Sequence, residues 1–199
     1  MKRVNVKISS VVPMLTISKI LLDPTHPLTK QHKKIGQKRG KDKTDKDLLE
    51  LKFLEFQANL CWEGENGQGQ VCVEGDTIEA VIREGAKQYK HGLKVQAGVM
   101  IQDDKIPLVY PKPSQSIAKL FARKDHVDYQ PVKRPGNVMV PYCRPRFNEW
   151  QLEFTLVFDD SIITADQLKR AIETGGKLKG IGSYRPRFGR FELNDFKVR

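Results

Sequence analysis

An α+β fold on an antiparallel sheet is what this sequence predicts, and three segments carry the prediction. Residues 2–10 alternate, with Val4, Val6 and Ile8 on one face and Arg3, Asn5 and Lys7 on the other, as a half-buried strand does. Residues 150–158 alternate as cleanly: Trp150, Leu152, Phe154, Leu156 and Phe158 interleave with Gln151, Glu153 and Thr155. Near the C-terminal end, Thr164 and Gln167 have the spacing of a capping box, Gly175-Gly176 supplies a stop for the helix, and Phe191-Glu-Leu193 begins a closing strand.

The remaining elements follow in order. An apolar patch (Val11, Val12, Met14, Leu15, Ile17) is interrupted by Pro13. Residues 23–46 carry Lys30, Lys33, Lys34, Lys38, Arg39 and further lysines with almost nothing to bury, so a mobile basic loop inserted into the fold is expected. Over 45–60 the apolar residues Leu49, Phe53, Phe56 and Leu60 fit a helix, while Leu49, Leu51 and Phe53 also fit a strand. The stretch Gly64–Gly69 reads as a turn between two short strands that end in Val71-Cys-Val73. Asp76, with Glu79 three residues on, can cap a helix lined by Ile78, Ile82, Ala86 and Tyr89 and ended by Gly92. Residues 93–113 suggest an apolar hairpin around Asp103-Asp104, 114–123 a short helix, and 125–149 a Pro- and Arg-rich stretch with one strand at Val138–Val140.

Reduced to its core the order is strand, helix, strands, helix, strand. That is the split β-α-β, ferredoxin-like plan: an antiparallel sheet with helices on one face, elaborated by loop insertions into a single domain over residues 1–199. The free sheet face would be open to a partner, but it lacks the aromatic signature of RNA-recognition modules.

Composition narrows the partner. Thirty-five Lys and Arg against 24 Asp and Glu leave a net charge of +11, which makes nucleic acid the default partner class. No apolar run suits a bilayer and the opening Met-Lys-Arg lacks a signal-peptide core, so a cytoplasmic protein without a membrane partner is expected. Cys61, Cys72 and Cys143 are odd in number and scattered, which reads as reduced thiols.

The charge concentrates in one loop. Lys177, Lys179, Arg185, Arg187 and Arg190 lie among Gly180, Gly182 and Gly189, with Tyr184 in their midst. A nucleotide-cofactor loop follows a strand and opens a helix; this one follows a helix and opens a strand, so a cofactor site is not expected. Arg-Pro-Arg-Phe occurs at 144–147 and again at 185–188. In an extended segment Arg144 and Arg146 share a side, as do Arg185 and Arg187, and such forks suit phosphates while Tyr142, Phe147, Tyr184 and Phe188 offer stacking surfaces.

The segment Gly180-Ile-Gly-Ser-Tyr-Arg-Pro-Arg-Phe-Gly-Arg-Phe191, between the last helix and the last strand, resembles the glycine-rich loop of the RAMP superfamily, the CRISPR-associated RNA-binding proteins built on ferredoxin-like modules. The opening strand running into Val12-Pro-Met-Leu15, and the run from Val73 to Arg83, look like parts of that family's backbone subunits. In length the chain is closest to small stand-alone RAMP-like proteins of phages and prophages. The resemblance covers both ends and one central element, about half of the chain. It implies that Gly180, Gly182 and Gly189 are structural and that Arg185, Arg187 and Arg190 contact phosphates.

The sequence therefore points to a non-catalytic protein that binds single-stranded nucleic acid, RNA rather than DNA, and that can line up along the strand. Its groove would comprise Lys177, Lys179, Tyr184, Arg185, Arg187 and Arg190, joined by Arg144 and Arg146, with Lys33, Lys34, Lys38 and Arg39 on a closing arm. The rival readings are a metal-independent endoribonuclease of the same superfamily and a phage module that docks on, or mimics, a CRISPR complex. His26, His32, His91 and His126 are the possible general acids and bases; none has a compelling setting, and no catalytic residue is assigned. No His, Cys, Asp or Glu cluster has metal-ligand spacing, so neither a metal nor a cofactor is expected.

Overall fold

A computed structural model describes residues 1–65, 68–133 and 135–199. In chain order the elements are β1 (Lys2–Ser10), β2 (Met14–Leu15), α1 (Pro27–Gly36), α2 (Asp45–Ala58), β3 (Trp62–Glu65), β4 (Gln68–Glu74), α3 (Gly75–Lys87), α4 (Gly92–Gly98), β5 (Val99–Ile101), β6 (Lys105–Pro107), α5 (Ile117–Ala122), β7 (Val127–Lys133), β8 (Met139–Phe147), β9 (Gln151–Phe158), α6 (Ala165–Leu178) and β10 (Phe191–Val198).

The main sheet has the order β10-β1-β9-β5, with β1 antiparallel to both of its neighbours and β5 antiparallel to β9. With α3 and α6 as the crossover helices, this is the ferredoxin-like arrangement. Val4, Val6 and Ile8 of β1 and the even-numbered apolar residues of β9 bury one face against Ile78, Val81 and Ile82 of α3 and Leu168, Ala171 and Ile172 of α6. The helices cross closely at glycines: a Cβ on Gly85 would lie 2.2 Å from the Ala171 carbonyl oxygen, and one on Gly175 would lie 2.7 Å from that of Val81. Gly175-Gly176 thus does not stop α6, which runs on to Leu178; the pair is a contact surface. The capping box of Thr164 and Gln167 forms as expected. The opposite sheet face is polar and mixed in charge, with Lys7 opposite Asp195 on one side and Glu153 on the other.

Two small sheets elaborate this core, β2-β8-β7 and β3-β4-β6. Several expectations are corrected here. Residues 27–36, expected as loop, form α1: the His26 imidazole accepts from the Leu28 N–H, Pro27 occupies the first turn, and Thr29 and Ile35 are buried. Thr29 Oγ1 donates to the Ile20 carbonyl at 3.0 Å, and Gln31 of α1 donates to Glu50 of α2 at 2.8 Å. Of the two patterns that fit 45–60, the helix forms, with a capping box made by Thr44 and Asp47. β3 and β4 pair as expected; the centre of the turn between them lies outside the described residues.

Asp76 is not the cap of α3. The helix starts one residue earlier, after Glu74, and Asp76 instead pairs with Lys19, while the Glu79 carboxylate accepts the Ile101 N–H at 2.7 Å. Nor does Gly92 end it, since Gly92 begins α4. Residues 93–113 are not a hairpin: β5 joins β9 while β6 joins β4, so the chain passes between two sheets at Asp103-Asp104. The stretch 125–149 holds two long strands rather than one, with Pro131 facing Pro141 across the pair. Cys61 and Cys72 are joined in a disulfide beside β3 and β4, not reduced; Cys143 is buried and free.

Candidate nucleic-acid interface

The loop after α6 is seated on the opposite end of the chain. The Gly189 N–H donates to the Pro13 carbonyl at 2.8 Å, the Ser183 N–H to that of Leu15 at 2.7 Å, and the Val11 N–H to that of Arg190 at 2.9 Å. Gly180, Gly182 and Gly189 all have positive φ. At Gly182 a Cβ would lie 2.2 Å from the Leu15 carbonyl oxygen, so the close approach that requires glycine is to the protein's own backbone. The residues Val12–Leu15 and the glycine-rich segment, read separately in the sequence, form one unit in space.

This seating displays the loop's side chains. Tyr184, Arg185, Arg187 and Arg190 are exposed. Arg185 donates to the Gly180 carbonyl at 3.4 Å and Arg190 to that of Pro186 at 2.8 Å, contacts that orient the guanidiniums without neutralising them. Among the described residues none of these three arginines has a carboxylate partner, and the same holds for Lys177 on α6 and Lys179 at its C-terminal end. Lys177 and Arg190 line one shallow pocket with Val11, Glu173 and Phe191. Four of the five loop cations expected at the site are therefore exposed, and Lys179 is partly so.

The first Arg-Pro-Arg-Phe copy has a different role. Arg144 and Arg146 do share a side of β8, but they lie beneath the loop. Arg144 is buried and donates to the Asp128 carboxylate, itself buried, at 3.0 Å; it also reaches Ser183 Oγ at 3.4 Å. The Arg144 expected at a phosphate is thus buried and ion-paired within the fold. Arg146 is half-buried and donates to Asn148 at 2.8 Å. The Arg144 guanidinium lies 5.7 Å from the Tyr184 ring centre and that of Arg146 lies 5.9 Å from Phe188, while the two rings stack on each other at 5.8 Å. The two copies thus meet, the arginines of one supporting the aromatics of the other. Phe147 is core, and Tyr142 is half-buried with its hydroxyl bonded to Asn59. Asp128 and Ser183, which hold this arrangement, were not foreseen; an Asp directly after Val127 at the start of an apolar-polar stretch was the available sign of a buried counter-ion.

Lys33, Lys34, Lys38 and Arg39 are exposed around the C-terminal end of α1. Lys38 is paired with Asp47 at 2.6 Å, and among the described residues no hydrogen bond or ion pair ties this group to the loop. The Lys38 ammonium, with the Thr44 N–H, holds the Asp47 carboxyl at about 2, below its ordinary value. Burial pushes the Cys143 thiol up to about 12.

The histidines have structural neighbours. His26 caps α1, His91 precedes α4, and His32 faces the buried Glu55 at 3.5 Å. His126 is buried between Tyr110 and Phe147, with Nδ1 at 3.0 Å from the Arg146 carbonyl oxygen. Among the described residues no three His, Cys, Asp or Glu side chains gather to hold a metal ion, and no helix is long and apolar enough to cross a membrane.

No protein-family model and no curated protein sequence matches the chain. Among solved structures it is similar to a chain in the cryo-electron-microscopy structure of the type III-B Cmr-beta complex bound to cognate target RNA, with a TM-score of 0.52 and 9% sequence identity. The match takes in 99% of this chain and 60% of the other, so this chain spans about three fifths of that neighbour's length. At that identity the likeness is one of fold, an α+β architecture shared with a subunit of an RNA-bound complex.

Proposed function

We propose that this protein binds single-stranded RNA, without cleaving it, as a small RAMP-type protein working in the cytoplasm. The carrying observation is the cluster of exposed arginines, Arg185, Arg187 and Arg190, held without carboxylate partners on a loop whose own backbone amides are tied to Val12–Leu15. Guanidiniums presented in this way fit phosphate oxygens, and the exposed Tyr184 ring, backed by Phe188 and Arg144, suits a stacked base. The fold likeness to a chain of an RNA-bound complex supports RNA over DNA and a CRISPR-related setting, whether in a host or in a phage that confronts it. Placement of several copies side by side along one strand is part of the same reading.

The test is fluorescence anisotropy with labelled single-stranded RNA, single-stranded DNA and duplex DNA across a range of salt, with a gel to detect cleavage. Single-stranded RNA should bind most tightly and remain intact. Replacing Arg185 and Arg187 by Ala should weaken binding and reduce the magnitude of the log–log salt slope by about 1.4, at ~0.7 per phosphate contact on a single strand. An unchanged slope removes these arginines from the interface, and cleavage overturns the non-catalytic reading.

A further inference from the structure

The loop is one end of a longer cationic surface. Where α3 and α6 cross at Gly85 and Gly175, their outward-facing side chains sit close together. The C-terminal half of α3 and the turn after it bring Arg83, Lys87 and Lys90; α6 brings Arg170 and Lys177, and Lys179 leads into the loop. Two carboxylates face them, Glu84 and Glu173. Lys87 pairs with Glu84, whose carboxyl is held low first by that bond and then by Lys179 and Arg83. Among the described residues Arg83, Lys90, Arg170, Lys177 and Lys179 have no ion-pair partner.

An aromatic ring lies in the middle. The Arg170 guanidinium sits 3.9 Å from the Tyr89 ring centre, and the Tyr89 hydroxyl lies 3.1 Å from Thr174 Oγ1. Hydrogen bonds with Thr174 and then Arg170, with Lys177 nearby, hold the Tyr89 phenol below its ordinary value. The surface is continuous with the loop, because Lys177 and Arg190 line the same pocket. By contrast the open sheet face balances Lys7 against Asp195 and Glu153 and carries no such excess.

We propose that the outer face of the α3–α6 layer is a second phosphate-binding track, along which a single strand leaving the arginine loop continues past Tyr89. This inference rests on the reading of the loop as a single-strand site. It makes the footprint longer than the loop alone spans and gives the bound strand one exit, over the helices rather than across the sheet.

The experiment compares a short RNA of about 8 nucleotides, within the usual site size of one small module, with one of about 25. Wild type should bind the longer RNA more tightly and with a steeper salt slope. The variant carrying Arg83→Gln, Lys87→Gln and Arg170→Gln should keep wild-type affinity for the short RNA, yet lose about tenfold on the long one and reduce its slope by about 2, at ~0.7 per lost contact. Arg185→Ala with Arg187→Ala should weaken both. Photocrosslinking of wild type to a 4-thiouridine-substituted long RNA reads the contact without any substitution and should label the 83–90 segment. Equal long-RNA affinity and slope in wild type and the helix variant, with no crosslink there, overturns the track and leaves the loop reading standing. Failure of wild type to bind either RNA overturns both.

Discussion

Arg144 is the first arginine of one Arg-Pro-Arg-Phe copy and Arg187 the second of the other, and replacing each by methionine should separate their roles. Asp128 and Arg144 face each other directly across β7 and β8, with side chains 2% and 7% exposed. Arg144→Met strands the Asp128 carboxylate away from water, a loss of about 3–5 kcal/mol for a buried pair broken on one side. With 199 residues and an unfolding entropy of ~2.1 cal/mol/K per residue, that is a fall in melting temperature of about 7–12 °C. Arg187→Met removes an exposed, unpaired side chain and should move the melting temperature by about 1 °C, from a change within ~0.5 kcal/mol. Pairing Arg144→Met with Asp128→Leu removes both charges together and should recover most of the loss. Thermal unfolding followed by circular dichroism measures all three. A melting point for Arg144→Met within about 2 °C of wild type, corresponding to less than ~1 kcal/mol, refutes the buried-pair reasoning, as does a double variant less stable than the single one.

Other outcomes follow from features already described. Gly182→Ala should destabilise by about 1–3 kcal/mol, because its Cβ meets the Leu15 carbonyl oxygen and its φ of +86° strains any other residue; amide exchange at Ser183 should speed up selectively. Without reductant, no thiol of the native protein should react with a maleimide, since Cys143 is buried with its thiol pushed to about 12; one should react after denaturation, and three after denaturation with reduction. Asp47, held at about 2 when folded, contributes stability that is complete above its unfolded value and lost as pH falls through the folded one. An NMR carboxyl titration should place its midpoint near 2, and Lys38→Ala should raise it toward the ordinary ~3.9.

The sequence made the core legible where alternation was strong and silent where pairing was long-range. β1 and β9 announced themselves because each buries a single face, and α6 because its capping box is local chemistry. β5 has three residues inside an apolar run, and nothing local says that they pair with β9 rather than with the segment after Asp104. β7 and β8 were obscured by Pro131, Pro141 and Pro145, which usually argue against strands; Pro131 and Pro141 face each other across the pair. With that hairpin missed, Asp128 could not be seen as the partner of Arg144. Arg185, Arg187 and Arg190 were readable because an exposed loop needs no partner to define it. The glycines allow close approaches, but to the protein's own backbone: Gly182 to Leu15, Gly180 to Gly189 and Arg190, and Gly189 to Ile181.

The central position of β1 sets a waiting time during synthesis. Its Val4, Val6 and Ile8 emerge well before their partners: β9, which covers one edge, follows about 150 residues later, and β10 later still. At ~5–20 residues per second a ribosome takes roughly 7 to 30 s to supply β9. Through that interval a nine-residue apolar-faced strand has both edges unpaired, the form in which strands are most prone to wrong partners. The alternating Arg3 and Lys7 put like charges on every copy of that strand, which disfavours its pairing with other nascent copies while the proper neighbours are being made.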